Sequence, residues 1–91
     1  MTGWGQHGPL AHTAGHDANY TALSGAMWGC SPADARPVAP VGVLGDIGGG
    51  ALYLMTGLLA GVLQARASGQ GTVVDADKLA DTSVSMKAVA A

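Results

Sequence analysis

Residues 46–68 read DIGGGALYLMTGLLAGVLQARAS, and this stretch decides the kind of fold the chain belongs to. From Ile47 to Leu63 no charged side chain interrupts it, and apolar residues fall on every face of a helix rather than on one stripe. A helix of that kind belongs in the core of a large protein or in a membrane. Arg66 in the last turn and Gly69 just past it form the expected basic-then-glycine stop. The uncharged run is at the short edge of what spans a bilayer. Gly57 and Gly61 also make a small-xxx-small pair suited to close helix packing. Asp46 and three glycines occupy one end, however, and no basic cluster sets an orientation. The reading is a buried helix over 46–68 in a soluble fold, with no membrane span. A small non-enzymatic membrane or interaction protein built on helix 47–63 is the alternative.

Moving outward, residues 29–45 form a connection in which Pro32, Pro37 and Pro40 forbid a regular helix. Before it, Asp17 is placed to cap a helix over 17–28, whose Tyr20, Leu23 and Met27 fall at helical spacing. Residues 1–16 read as loop, with a short strand ending near Gly3. On the other side, 69–71 is a turn, 72–75 a β-branched strand and 77–91 a weak helix with Leu79, Val84 and Met86 as core contacts. This order is α/β in character, yet one strand does not make a sheet. The pattern implies part of a larger domain.

Ninety-one residues support one small domain with a marginal core. The chain is 48% apolar but has no Phe, and its 15 glycines raise the entropic cost of folding. A net charge of −2 with four scattered Lys and Arg gives no basic footprint, so nucleic acid is not an expected partner. The single cysteine, Cys30, excludes an internal disulfide and fits a reducing compartment. The first fifteen residues lack the basic end and apolar run of a secretory leader, so the expected location is cytoplasmic.

Three motifs bear on chemistry. Gly3-Trp4-Gly5-Gln6-His7-Gly8 spells G-x-G-x-x-G, but Pro9 follows and no helix opens at the third glycine, so dinucleotide binding is not expected. His12 and His16 are four apart, as in helical metal-ligand pairs, yet Gly15 lies between them and no second ligand cluster follows, so no metal is expected. Asp46 is most simply an N-cap accepting from the amides of Gly48 and Gly49. The glycines Gly48, Gly49 and Gly50 also expose a helix start to a ligand, a ready site for developing negative charge. Beside it Asp46 has a second reading, as a catalytic base.

Four runs carry a resemblance: Thr2–Gln6, Ala14–Tyr20 (AGHDANY), Leu44–Ala51 (LGDIGGGA) and Gly69–Ala76 (GQGTVVDA). In that order and spacing they resemble the α-methylacyl-CoA racemases of the class III CoA-transferase family, from residue 1 to about 76. Asp77, Lys78, Ala80 and Asp81 then replace what is usually an apolar helix start followed by Asp-Gly, and Gly42 stands where Asn is common.

The resemblance implies an α/β fold: a fragment of the large Rossmann-like domain, mostly helical with one or two short strands, so that 1–91 is a partial domain. It implies exchange of the α-proton of a 2-methyl-branched acyl-CoA thioester, with acyl-CoA as substrate and no cofactor. His16 and Asp46 occupy the positions of the two opposed bases, and Gly48, Gly49, Gly50 and Tyr20 those of the substrate surroundings. Two-base exchange needs one group to remove the proton and another to return one to the opposite face. The enolate oxygen between them needs stabilising dipoles. Sister CoA-transferases use the matching aspartate as a covalent nucleophile and commonly carry an aromatic residue at the position of His16. The histidine therefore favours the racemase.

Family members are several times longer and form interlocked dimers. The resemblance thus implies a truncated product or one half of a split enzyme, with a second polypeptide completing the fold and little activity in this chain alone.

Overall fold

The computed structural model describes residues 1–80. Helix α1 spans Asp17–Leu23, α2 Ala26–Gly29, a π-helix Val43–Ala51, and α3 Leu52–Ser68. The expected single helix over 17–28 is two helices. Gly25 sits between them at φ 83, a left-handed conformation that breaks the i→i+4 ladder and that glycine adopts without a Cβ penalty. Leu23 is exposed, while Tyr20, Thr21 and Ala26 are buried. Among the core positions expected from helical spacing, Tyr20 packs inside, Met27 is half-buried and Leu23 does not pack.

The apolar helix begins earlier than the sequence suggests. It opens at Val43 with Gly42 as N-cap, runs as π-helix through the glycine run, and becomes regular α-helix from Leu52. The amide of Leu52 donates to the carbonyl of Ile47, the i→i+5 bond of a π-helix. Gly69 closes α3, its amide donating to the Ala65 carbonyl at 2.9 Å.

Two further expectations are corrected. No strand forms at 72–75 or before Gly3 among the described residues; an isolated parallel bridge joins Thr2 to Asp77 instead. The Thr2 amide donates to the Ala76 carbonyl at 3.0 Å, and the Lys78 amide to the Thr2 carbonyl at 3.1 Å. The physical reason is that one short extended segment on each side has no third strand to extend the ladder. Nor is the apolar helix buried here, since no residue of α3 is buried and Leu52, Met55, Leu58, Leu59, Val62 and Leu63 are exposed. Residues 72 and 74 lie against one narrow stripe of it. Cβ atoms built at Gly57 and Gly61 would lie 2.6 Å from Val74 Cγ1 and 3.3 Å from Thr72 Cγ2, so this small-residue stripe is the face on which the returning chain lies. By length and composition, Val43–Ser68 is able to cross a membrane, a property shared with core helices of soluble proteins. The radius of gyration is 15.0 Å, against about 12 Å for a compact chain of this length, as an uncovered long helix requires. Helical geometry resumes from residue 78 to 80. The remainder of the expected helix 77–91, with Val84 and Met86, lies outside the described residues.

The small core lies where the N-terminal loop, α1, the π-helix and residues 76–79 meet. The Trp4 and Tyr20 rings pack edge to face, with centroids 5.0 Å apart at 68°, a geometry that suits their quadrupoles. Gly3 lies against the Tyr20 hydroxyl and Gly15 against the Trp4 indole, each so near that a side chain at either glycine would displace the ring.

Candidate active site

The site is built on Asp17. This residue is not the cap of α1: the N-cap is His16, and Asn19 Oδ1 accepts from the His16 amide at 3.0 Å. The Asp17 side chain is thereby free to reach across to the other helix. Its Oδ2 accepts hydrogen bonds from the amides of both Gly45 and Asp46, each at 2.8 Å. The first amides of any helix lack intrahelical partners and carry its positive dipole end. A carboxylate is the natural group to satisfy them. Gly45 allows the approach, because a Cβ there would lie 2.9 Å from the Asp17 carbonyl oxygen and 3.0 Å from its Cα. The backbone at His16–Asp17 is therefore clamped onto the backbone at Gly45–Asp46.

The Asp46 carboxylate is not an N-cap, because the helix starts three residues before it. Its Oδ1 accepts from Lys78 Nζ at 2.6 Å, in a pair that is partly shielded from solvent. The same ammonium stands 5.8 Å from the centroid of the Tyr20 ring, within cation–π range. Tyr20 is 1% exposed. Burial pushes its hydroxyl above the ordinary value of 10.0, with the Lys78 charge opposing and the Asp46 charge adding to the rise.

Of the residues picked from sequence, His16 is exposed at the N-terminus of α1, one peptide link from the Asp17 clamp. Asp46 is half-buried, and Gly49 and Gly50 are buried. Gly48–Gly50 do not present bare amides, since they lie inside the π-helix, whose hydrogen bonds run back five residues. Of the first amides of this helix, which lack intrahelical partners, Asp17 takes those of Gly45 and Asp46. Tyr20 packs behind the Asp46–Lys78 pair rather than lining an open surface. His7 and His12 lie in the exposed N-terminal loop, and no group of three metal-ligating side chains forms among the described residues. A groove of about 350 Å³ lined by Trp28, Ser31, Pro32 and Pro37 shares no residue with this site.

Two residues were missed as functional. Asp17 was read as a cap because Asp before an apolar helix is the usual cap signal; nothing local shows that the cap position falls one residue earlier, at His16. Lys78 was noted only as a departure from an apolar pattern. A cation standing where apolar residues are usual was the signal that an anion waits opposite.

The model of CoA-transferase family III matches residues 1–91. Alpha-methylacyl-CoA racemase of Mus musculus is 35% identical over 82 residues, 90% of this chain and 22% of that protein. The Homo sapiens racemase gives the same figures. Succinyl-CoA:glutarate CoA-transferase of Mus musculus is 37% identical over 91 residues, 100% of this chain and 21% of that protein. The chain thus spans about a fifth of the length of the curated relatives it matches.

Proposed function

Since this chain belongs to CoA-transferase family III, we propose that it contributes the two bases of an acyl-CoA racemase acting on 2-methyl-branched thioesters. The supporting observation is the Asp17 clamp. By bonding to the amides of Gly45 and Asp46, it fastens the strand of chain carrying His16 to the helix carrying Asp46. In this reading the imidazole and the carboxylate, carried by two fastened backbones, serve one substrate from two sides. One base takes the α-proton and the other returns a proton to the opposite face, with roles exchanged in the reverse direction. The reaction needs no cofactor or metal in this reading. The enolate is held by dipoles of the surrounding fold, with Gly48–Gly50 giving the close backbone approach. The large-domain Rossmann-like sheet, the homodimer or completing polypeptide, and a cytoplasmic location belong to the same proposal. In it, the exposed face of α3 is a core face awaiting the rest of the fold.

The test replaces the matching stretch of the mouse racemase with this chain. Deuterium entry from solvent at the α-carbon of a 2-methylacyl-CoA is then measured. The expected result is epimer interconversion with deuterium entry in the chimera and no interconversion in His16→Ala or in Asp46→Asn, each of which keeps exchange at most with the one epimer that its remaining base faces. A folded chimera that still interconverts the epimers with either substitution overturns the reading.

A second reading is favoured by one observation, the 37% identity to succinyl-CoA:glutarate CoA-transferase over the whole chain. In it the Asp46 carboxylate attacks the thioester carbonyl, breaking its C–S bond, to form a mixed anhydride with the acyl group and release the CoA thiolate. Hydroxylamine inactivation with modification at Asp46, seen only after acyl-CoA is added, selects this reading over the first. A membrane-bound product is selected instead if the chain stays with membranes after an alkaline wash and partitions into detergent.

A further inference from the structure

We propose that Lys78 is a positioning residue for Asp46. The inference rests on the reading of Asp46 as the reacting carboxylate. Three observations carry it. The Lys78 ammonium donates to Asp46 Oδ1 at 2.6 Å, and the two side chains are 20% and 36% exposed, so water competes for the pair only in part. The lysine stem is held in place, because Gly50 lies so near that a Cβ there would be 2.9 Å from Lys78 Cγ. The backbone beneath it is pinned too, the Lys78 amide donating to the Thr2 carbonyl at 3.1 Å and that of Leu79 to the Gly3 carbonyl at 3.3 Å.

A long, rotamer-rich side chain normally makes a weak surface pair. Here the stem lies against Gly50 and the head stands over the Tyr20 ring, so little freedom remains to be lost on pairing. The ammonium fixes one carboxylate oxygen and leaves the other, Oδ2, as the atom that reacts. Lys78 thus selects the rotamer of Asp46 without meeting substrate.

The test is carbodiimide coupling of the whole chain, read by peptide mass spectrometry, and it uses no acyl-CoA. Its outcome is therefore independent of whether the racemase reading holds. The carbodiimide adds to a carboxyl group to give an O-acylisourea, and a neighbouring amine attacks the acyl carbon and expels the urea, leaving an amide. In the wild-type chain the expected product is an internal amide joining residues 46 and 78. With glycine ethyl ester added, Lys78→Met is expected to label at Asp46 about three- to fivefold faster than Lys78→Arg, the size of a partly exposed ion pair. In the arginine variant the guanidinium keeps the pair but does not couple, so protection without cross-linking marks rescue by charge and geometry. Far-UV circular dichroism of both variants shows whether the fold is kept. Absence of the 46–78 product, or equal labelling in two folded variants, overturns the proposal.

Discussion

Removing the Asp17 carboxylate tests the architecture of the site most directly. In Asp17→Ala the amides of Gly45 and Asp46 lose an acceptor that each now meets at 2.8 Å. A hydrogen bond to a charged group contributes about 1.5–3 kcal/mol, and partial exposure puts this pair near the lower end, at about 3 kcal/mol together. Asp17→Asn keeps an oxygen of the same shape without the charge, and neutral bonds are about half as strong, so the loss falls to about 1.5 kcal/mol. Native-state amide exchange read by NMR reports both numbers at the two affected amides. About 3 kcal/mol corresponds to roughly a hundredfold faster opening there, and about 1.5 kcal/mol to roughly tenfold. Urea titration by circular dichroism gives the global counterpart, with a midpoint lower by about 1.5–3 M at a slope of about 1 kcal/mol/M. If the two amides exchange in Asp17→Ala as they do in the wild-type chain, the clamp does not hold the helix start and the two-backbone argument fails with it.

Gly45→Ala should destabilise by about 2 kcal/mol, because the new methyl group meets Asp17 backbone atoms at 2.9 and 3.0 Å that have no rotamer to yield; urea midpoints check this. Tyr20 is expected to stay protonated above the ordinary value of 10.0, and the sign follows. The folded state holds the proton more tightly than the unfolded one, so this contribution is complete below pH 10.0 and is lost as pH rises through the elevated folded value. Tyrosinate absorbance in a Tyr53→Phe background measures it, and Lys78→Met should push the titration higher still by removing the one opposing charge. Leu59→Lys should change the stability of this chain by less than about 0.5 kcal/mol, since Leu59 is 60% exposed. A loss of several kcal/mol in thermal or urea melts would mean the α3 face is covered in solution.

How far the residues disclosed this structure depends on the range of the forces involved. The apolar helix, its stop at Gly69 and the prolines of the connection are local signals, and they are legible because propensity and periodicity act within a few residues. The start of that helix was misplaced by three residues for a different reason. Asp46 followed by glycines looks like a cap, but the carboxylate that satisfies the first amides comes from Asp17, on a helix that only tertiary structure brings near. The same holds for Lys78, whose partner stands 32 positions away. His16 and Asp46 were picked out by resemblance to a family rather than by spacing. The break at Gly25 was visible as a glycine, yet nothing local says whether such a residue bends a helix or merely weakens it. The expected strand at 72–75 is β-branched and extended, but strand formation needs a neighbour that the chain itself does not specify.

The nine-residue π-helix leaves one more consequence. A wide turn of this type carries one residue more than an α-helix needs over the same rise. Deleting a single glycine from Gly48–Gly50 would let the coil tighten toward its ordinary winding, and the residues N-terminal to the deletion would shift in azimuth and rise relative to α3. The carboxylate at position 46 would then look along a different azimuth from the ammonium that now meets it, while α3 kept its own orientation. Chain length in this one stretch therefore acts as a dial for the direction in which the reactive group points, separate from the identity of any side chain.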